Sequence, residues 1–359
     1  MPSKRPDVGT STSSSAGARP GPAASYLVEC ALGLEDVTAS ELAQRVGARL
    51  DGLTPGEGRF RYDGDIRRLL SLRTAQAVYR VVHLDVPRPR GLLGDAHFRA
   101  LSEAMRAVCV RDRNLRFRSL RLAAAGADSA VMIRLRDALA GTLGLTAVGE
   151  EGDLLLRLRP AQRGGWEALI RLTPRPLATR AWRTHNYPGA LNGAVAAAIV
   201  TLLVPRPGDV FVNAFCGSGT LLVERGLAGP AAQLIGIDRE AQPLAYSRVH
   251  LAAAGVRSAL LAQGDAVALP MPTASTTVIT ADLPFGHHIG HHAENLLVYR
   301  AALDEFARIA RPGARLAALT HEATLMDRLT RDHPAWALHG MRRISLSGLT
   351  PRLYLLQRR

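Results

Sequence analysis

The chain has 359 residues, 47% of them apolar, and a formal net charge of +14. That length gives room for two or three domains with proper cores, and no run nears the roughly 18 apolar residues of a membrane span. Three scattered cysteines, Cys30, Cys109 and Cys216, argue for a reduced, cytoplasmic protein without a disulfide framework.

Residues 1–24 are rich in Ser, Gly, Ala and Pro without the apolar stretch of a signal peptide, and read as a disordered tail. Tyr26 to Ala31 then reads as a strand, Leu34 to Val46 as a helix, Gly58 to Tyr62 as a strand and Asp65 to Leu72 as a short helix. Val78 to Val86 and Asp95 to Val108 complete, as strand and helix, a small α+β unit over 25–110. A second α+β unit covers 111–175. It has a strand at Leu115 to Leu122, a helix from Val131 to Leu143 started by Asp128 or Ser129, and strands at Leu154 to Leu158 and Trp166 to Leu172.

The second unit is also where charge concentrates. Lys4 is the sole lysine, and residues 111–183 carry 14 arginines against 7 acidic residues. Arginine forks suit a phosphate backbone, although a solvated basic surface accounts for the charge equally well. Arg157, Arg159 and Arg171 stand at alternate strand positions and would project from one sheet face. With Arg175 and Arg183 in the linker 176–189, they are the candidate RNA contacts on this side of the chain.

From Ala190 to Arg359 the pattern becomes strand–helix alternation. Strands read at Val210–Asn213, Leu234–Asp238, Leu260–Gly264, Thr277–Ala281 and Arg315–Leu319. Helices read at Ala190–Leu203, Thr220–Ala228, Gln242–Ala254 and Glu294–Arg311. Such units build a doubly wound, mostly parallel sheet, here closed by an antiparallel hairpin of Trp336–Leu346 and Arg352–Gln357.

Ligands of such sheets bind beyond the carboxyl ends of the strands. There, Phe215-Cys216-Gly217-Ser218-Gly219-Thr220 joins the first strand to a helix, with glycines that allow close backbone approach. Asp238 ends the next strand, placed for two ribose hydroxyls. Asp265, followed by Ala266, ends the third and offers an acceptor to an adenine amino group. The turn lacks the third glycine of a dinucleotide site, since Leu222 stands there, and the Lys-Ser/Thr of a phosphate loop. S-adenosylmethionine fits these residues better than NAD or ATP.

Downstream lies Asp282-Leu283-Pro284-Phe285-Gly286. Methylating an exocyclic amine requires its lone pair to be freed from the ring, so a useful site accepts both N–H groups. The Asp282 carboxylate can take one and the Leu283 main-chain carbonyl the other, with Pro284 holding that carbonyl extended. Phe285 offers a stacking face. Positioning and electrostatic alignment supply the catalysis. His287 and His288, beside this pocket, are candidate contacts to substrate phosphate or base. A metal site is not expected, because adjacent histidines diverge on a loop and no Cys or carboxylate cluster accompanies them.

These residues resemble the THUMP-domain RNA methyltransferases, especially the tRNA guanine-N2 branch. The likeness rests on Arg180-Ala181-Trp182-Arg183 with Pro188-Gly189-Ala190-Leu191-Asn192, on the turn at Phe215 to Thr220, and on Asp282 to Gly286. The resemblance implies a Rossmann-like class I methyltransferase domain over 190–359. It also implies a ferredoxin-like unit over 25–110 and a THUMP unit over 111–175, which together grip the acceptor end of tRNA. It puts S-adenosylmethionine against Ala190, Asn213, Phe215 to Thr220, Asp238, Asp265, Ala266 and Asp282. Asn213-Ala214 departs from the family's Asp-Pro, keeping an acceptor but losing its charge, and Leu283 replaces a Pro found in many relatives. The motif does not name the base. A ribosomal-RNA guanine-N2 or adenine-N6 methyltransferase, and a non-catalytic THUMP-type RNA-binding protein, stay open.

Overall fold

The computed structural model describes residues 23–110, 115–284, 292–331, 333–345 and 348–359. Most of the expected tail, and Phe285, His287 and His288, lie outside the described residues. The amino-terminal half contains β1 (Ala24–Glu29), α1 (Glu35–Glu41), β2 (Leu50–Thr54), β3 (Glu57–Tyr62), α2 (Ile66–Leu70), β4 (Ala77–Leu84) and α3 (Asp95–Val110). It continues with β5 (Ser119–Ala123), α4 (Ala130–Leu143), β6 (Thr146–Val148), β7 (Leu154–Pro160) and β8 (Trp166–Arg171). Helix α1 runs on as a π-helical turn over Leu42–Val46. Ser129 caps α4 by accepting from Met132 N–H at 3.5 Å, and Gly144 ends it in the left-handed region. Strands β2 and β6 are additions to the sequence reading. Both are edge strands, too short or too poorly alternating to announce themselves.

All eight strands join one sheet in the order β2-β3-β1-β4-β8-β7-β5-β6. The join is the antiparallel β4–β8 pair, with Tyr79 opposite Arg171. One face packs Val28, Phe60, Leu84, Leu156 and Ile170 against helix residues such as Leu69, Leu101, Met105 and Leu135. The opposite face has a floor of Leu27, Ala77, Tyr79, Leu155 and Leu169, all strand residues and all buried. Charged side chains roof it. Arg159 bonds Glu57 at 2.7 and 2.8 Å and Glu167 at 3.1 Å; Arg59 also bonds Glu167, and Arg157 bonds Glu29. Three strands, β1, β4 and β8, lie between β3 and β7 in the sheet, so its twist must curl the face to bring Glu57 to Arg159. The aliphatic stems of the arginines seal the floor while their heads reach the carboxylates.

The carboxyl-terminal half comprises α5 (Gly193–Leu202), β9 (Val210–Ala214), α6 (Thr220–Leu227), β10 (Gln233–Asp238), α7 (Ala241–Ala253), β11 (Ala259–Gln263) and β12 (Thr276–Asp282). It ends with α8 (His292–Ile309), β13 (Ala310–Thr320), α9 (Ala323–Arg331), β14 (Trp336–Arg343) and β15 (Arg352–Arg358). The sheet order is β11-β10-β9-β12-β13-β15-β14. The first five strands run parallel and β15 pairs antiparallel with both β13 and β14. The doubly wound sheet with its terminal hairpin is therefore the one expected; α9 is an addition. Central strands are covered on both faces, which is why they read as continuous apolar runs.

The halves share a core. Ala31, Leu34 and Val37, from the loop after β1 and from α1, pack with Trp182, Val195, Ile199 and Ile344. Gly33 (φ +89°) runs so close that a Cβ there would lie 1.9 Å from the Arg343 carbonyl oxygen. Arg342 bonds Asp36 at 2.6 and 2.8 Å. Deeper, Glu224 of α6 is fully buried between Arg73 and Arg180. Arg180 also donates to the carbonyls of Arg73 and Gly193 at 2.5 and 3.0 Å. Segment 176–189 has neither helix nor strand, yet it is pinned by this network. No helix among the described residues is long and apolar enough to cross a membrane.

Candidate active site

β9, in the middle of the sheet, delivers the chain into the glycine turn. Phe215 has φ +56°, Gly217 +52° and Gly219 +82°. Gly219 is the residue before α6, and a Cβ there would meet Ser247 Oγ of α7 at 2.2 Å. Only glycine satisfies both the dihedral and the space. Asp238 ties the turn to the next strand, its Oδ2 accepting from Gly217 N–H at 2.7 Å and its Oδ1 from Glu240 N–H at 3.0 Å. Cys216 is buried, and burial pushes its thiol well up, away from any thiolate role. Thr220 Oγ1 accepts from Arg183 at 2.8 Å, and the same guanidinium reaches the Leu191 carbonyl at 2.6 Å. Ala190 lies half-buried beside them, its N–H donating to Tyr187 O at 3.0 Å. Asp265 is exposed and accepts from Val267 N–H at 3.1 Å, with Ala266 buried behind it.

A buried histidine that the sequence did not single out backs this turn. His250 of α7 contacts the Ser218 carbonyl through Nδ1 at 2.9 Å, and its Nε2 accepts from His185 N–H at 3.2 Å. These partners require a neutral ring with its proton on Nδ1. Burial lowers its pKa from 6.5, in keeping with that state. His185 stacks on Tyr246 with ring centroids 5.0 Å apart, and Trp182 lies 5.6 Å from the His250 ring.

β12 runs beside β9, with Thr280 opposite Asn213 and Ala281 opposite Ala214. Strand alternation puts Asn213, Thr280 and Asp282 on one sheet face. Asn213 is buried; its Nδ2 donates to Thr280 O at 3.3 Å while its Oδ1 has no partner among the described residues. Asp282 Oδ1 is likewise sealed without a hydrogen bond among the described residues, although part of the residue still reaches solvent. Burial pushes its carboxyl up to about 7. Leu283 is buried with its N–H on Leu319 O at 2.9 Å, and the Pro284 carbonyl accepts from the Tyr299 hydroxyl at 2.9 Å.

Thr280 Oγ1 on the same face is also unpartnered, so three orphaned oxygens among the described residues sit at the carboxyl ends of these adjacent strands. Buried acceptors without donors are rare and need an explanation. A ligand bearing N–H groups supplies one, and both S-adenosylmethionine and a nucleobase amine carry them. In the glycine turn next to this notch, half-buried Gly217 has no atom within 4 Å of where a Cβ would stand, which leaves room for close approach, so the residues fit such a cofactor.

The other candidates are placed differently. Arg157 and Arg159 are committed to Glu29, Glu57 and Glu167 in the curled sheet face. Arg171 is buried, donating to the Thr173 and Pro174 carbonyls. Arg175 is exposed and Arg183 half-buried over Trp182 at 5.4 Å. Tyr299, His250 and Glu224 had no motif to reveal them; each is an unremarkable residue in a helix until the tertiary contacts are known.

Residues 180–352 match the family UPF0020, described as RMKL-like, methyltransferase domain. The mouse (Mus musculus) tRNA (guanine(6)-N(2))-methyltransferase THUMP3 is 31% identical over 204 residues, covering 49% of this chain and 37% of that protein. A tRNA (guanine(6)-N2)-methyltransferase of Thermus thermophilus is 29% identical over 190 residues, 53% of this chain and 56% of the relative. The chain therefore spans between about a third and just over half the length of these curated relatives. Among solved structures, TrmN from Thermus thermophilus superposes with a TM-score of 0.73 at 24% identity, covering 93% of this chain and 99% of that one. A possible methylase from Clostridium difficile 630 gives 0.71 at 14%, covering 94% and 98%. These likenesses establish a class I methyltransferase fold behind an α+β half and extend over nearly the whole chain.

Proposed function

We propose that this protein transfers a methyl group from S-adenosylmethionine to the exocyclic N2 of a guanosine in tRNA. The observation that carries the reading is the pair of buried acceptors, Asp282 Oδ1 and Asn213 Oδ1, without partners among the described residues on one face of adjacent strands. The names of the mouse and Thermus relatives, both tRNA guanine-N2 methyltransferases, support the choice of base and RNA.

When bound, the cofactor supplies an electrophilic methyl carbon. The chain does the rest by placement. Gly217, Gly219 and the Asp238 clamp shape the cradle, and Asp265 and Ala266 close it at the third strand. Asp282, once ionised, accepts an N–H of the target amine, and the Leu283 carbonyl accepts the other. A carboxylate is well matched to guanine, whose N1–H and N2–H donors lie side by side, whereas adenine presents an acceptor at N1 next to its amine. Asn213 leaves an uncharged acceptor where a carboxylate would repel Asp282 at close range. Phe285 is assigned the stacking face.

We assign tRNA holding to the amino-terminal half, with a ferredoxin-like unit over 25–110, a THUMP unit over 111–175 and a linker over 176–189, in cytoplasm. Exposed Arg175, with Arg183, is assigned to contact the RNA, and His287 and His288 are assigned contacts to substrate phosphate or base. Arg157, Arg159 and Arg171 would act on RNA through the shape of the face they hold together. Nucleoside mass spectrometry of unmodified tRNA incubated with protein and labelled cofactor tests the reading. N2-methylguanosine is expected; N6-methyladenosine, or no modified nucleoside, overturns it.

A further inference from the structure

We propose that Tyr299 is a positioning residue for the amine-accepting stretch, holding the main chain after Asp282 so that its carboxylate and the Leu283 carbonyl face the incoming nitrogen. The inference rests on the methyltransferase reading above. Tyr299 lies inside α8 and is fully buried. Its hydroxyl has one proton, and the Pro284 carbonyl, 2.9 Å away, takes it. The 2.7 Å contact with Thr320 Oγ1 must therefore be donated by the threonine. Thr320 Oγ1 in turn accepts from Glu322 N–H at 2.9 Å. All donors in this relay point one way, from the end of β13 through α8 to the residue two beyond Asp282.

The relay does more than satisfy a buried phenol, for which the threonine alone would suffice. Pro284 has no N–H, so its carbonyl is its only main-chain hydrogen-bonding group. Leu283 is pinned from the other side by its N–H on Leu319 O at 2.9 Å. Among the described residues Asp282 Oδ1 has no hydrogen bond of its own, so the aim of that oxygen follows from where the main chain is fixed. α8 and β13 thus set the geometry of a motif that begins at the end of β12.

Tyr299→Phe and Thr320→Val, alone and together, test this. Steady-state kinetics with tRNA should show kcat lowered by about 10- to 100-fold in Tyr299→Phe, the scale of a small misplacement of reacting groups. KM and calorimetric Kd for S-adenosylmethionine should stay within about twofold. The double variant should be no slower than Tyr299→Phe, since both changes cut one relay. Without RNA or cofactor, the Leu283 amide should exchange its hydrogen faster in either variant. Full kcat with only a lowered Tm would make Tyr299 a plain core residue, and additive losses would break the relay. If Tyr299→Phe does not fold, Thr320→Val keeps the ring in place and must still slow kcat. A wild-type protein that methylates no RNA sinks the underlying reading, whereas an undiminished Tyr299→Phe sinks the relay alone.

Discussion

Asp282→Asn should stabilise the protein at alkaline pH while abolishing its chemistry. Burial lifts the Asp282 carboxyl from 3.8 to about 7. At 1.36 kcal/mol per pKa unit, ionising it in the folded state is opposed by about 4 kcal/mol, an upper figure because buried sites relax and admit water. The folded form holds this proton more tightly than the unfolded chain does. Its contribution is therefore greatest at low pH, falls as pH climbs from about 4, and levels off above about 7. Asparagine has no proton to lose and should lack this slope. Urea unfolding of both proteins at fixed ionic strength would read the difference. The stability of Asp282→Asn relative to wild type should rise by about 2–4 kcal/mol between about pH 4.5 and about pH 8.5. Wild-type methyl transfer should increase over the same range, as the acceptor ionises, and the variant should show none. Parallel stability curves would mean that the carboxyl titrates like an exposed one, and the sealed notch would be wrong.

Glu224→Gln leaves Arg73 and Arg180 facing each other around an uncharged group, and should lower unfolding free energy by about 3–5 kcal/mol in urea titrations. Stability equal to wild type would mean that the clamp between the halves is idle. Gly219→Ala adds a Cβ at φ +82° and 2.2 Å from Ser247 Oγ, and calorimetry should show S-adenosylmethionine bound at least roughly tenfold more weakly. His250→Gln should change the acid side of the stability profile. The lowered pKa means that the folded state resists protonation, so wild-type stability contributed by this ring is lost as pH falls below 6.5. That part of the decline should be missing in the variant, as followed by urea midpoints across the acid range.

Much of the site was legible along the chain. The turn at Phe215 to Thr220, the acids at the ends of β10 and β11, and Asp282 to Pro284 are local features. Each needs only a strand, a tight turn and residues of the right chemistry. The doubly wound sheet was legible too, because its apolar runs and helical periods repeat at short range. Edge strands β2 and β6 and helix α9 were not, since short or weakly patterned segments take their structure from neighbours. The alternating arginines illustrate the same limit. Arg157 and Arg159 do share a face, as their spacing requires, but the carboxylates that hold them come from Glu29, Glu57 and Glu167 on three other strands.

The sequence by itself determined most of the elements, the order of the two halves and the chemistry offered at the strand ends, because these depend on backbone preference and residue type within a few positions. Tertiary structure alone decided which acceptors are left without donors, which arginines are already paired, and what holds the motif's main chain. Those outcomes depend on burial and on contacts across long stretches of chain, such as Arg73 with Glu224 or Tyr299 with Pro284. Desolvation and hydrogen-bond geometry set them, and both exist only once distant segments have packed.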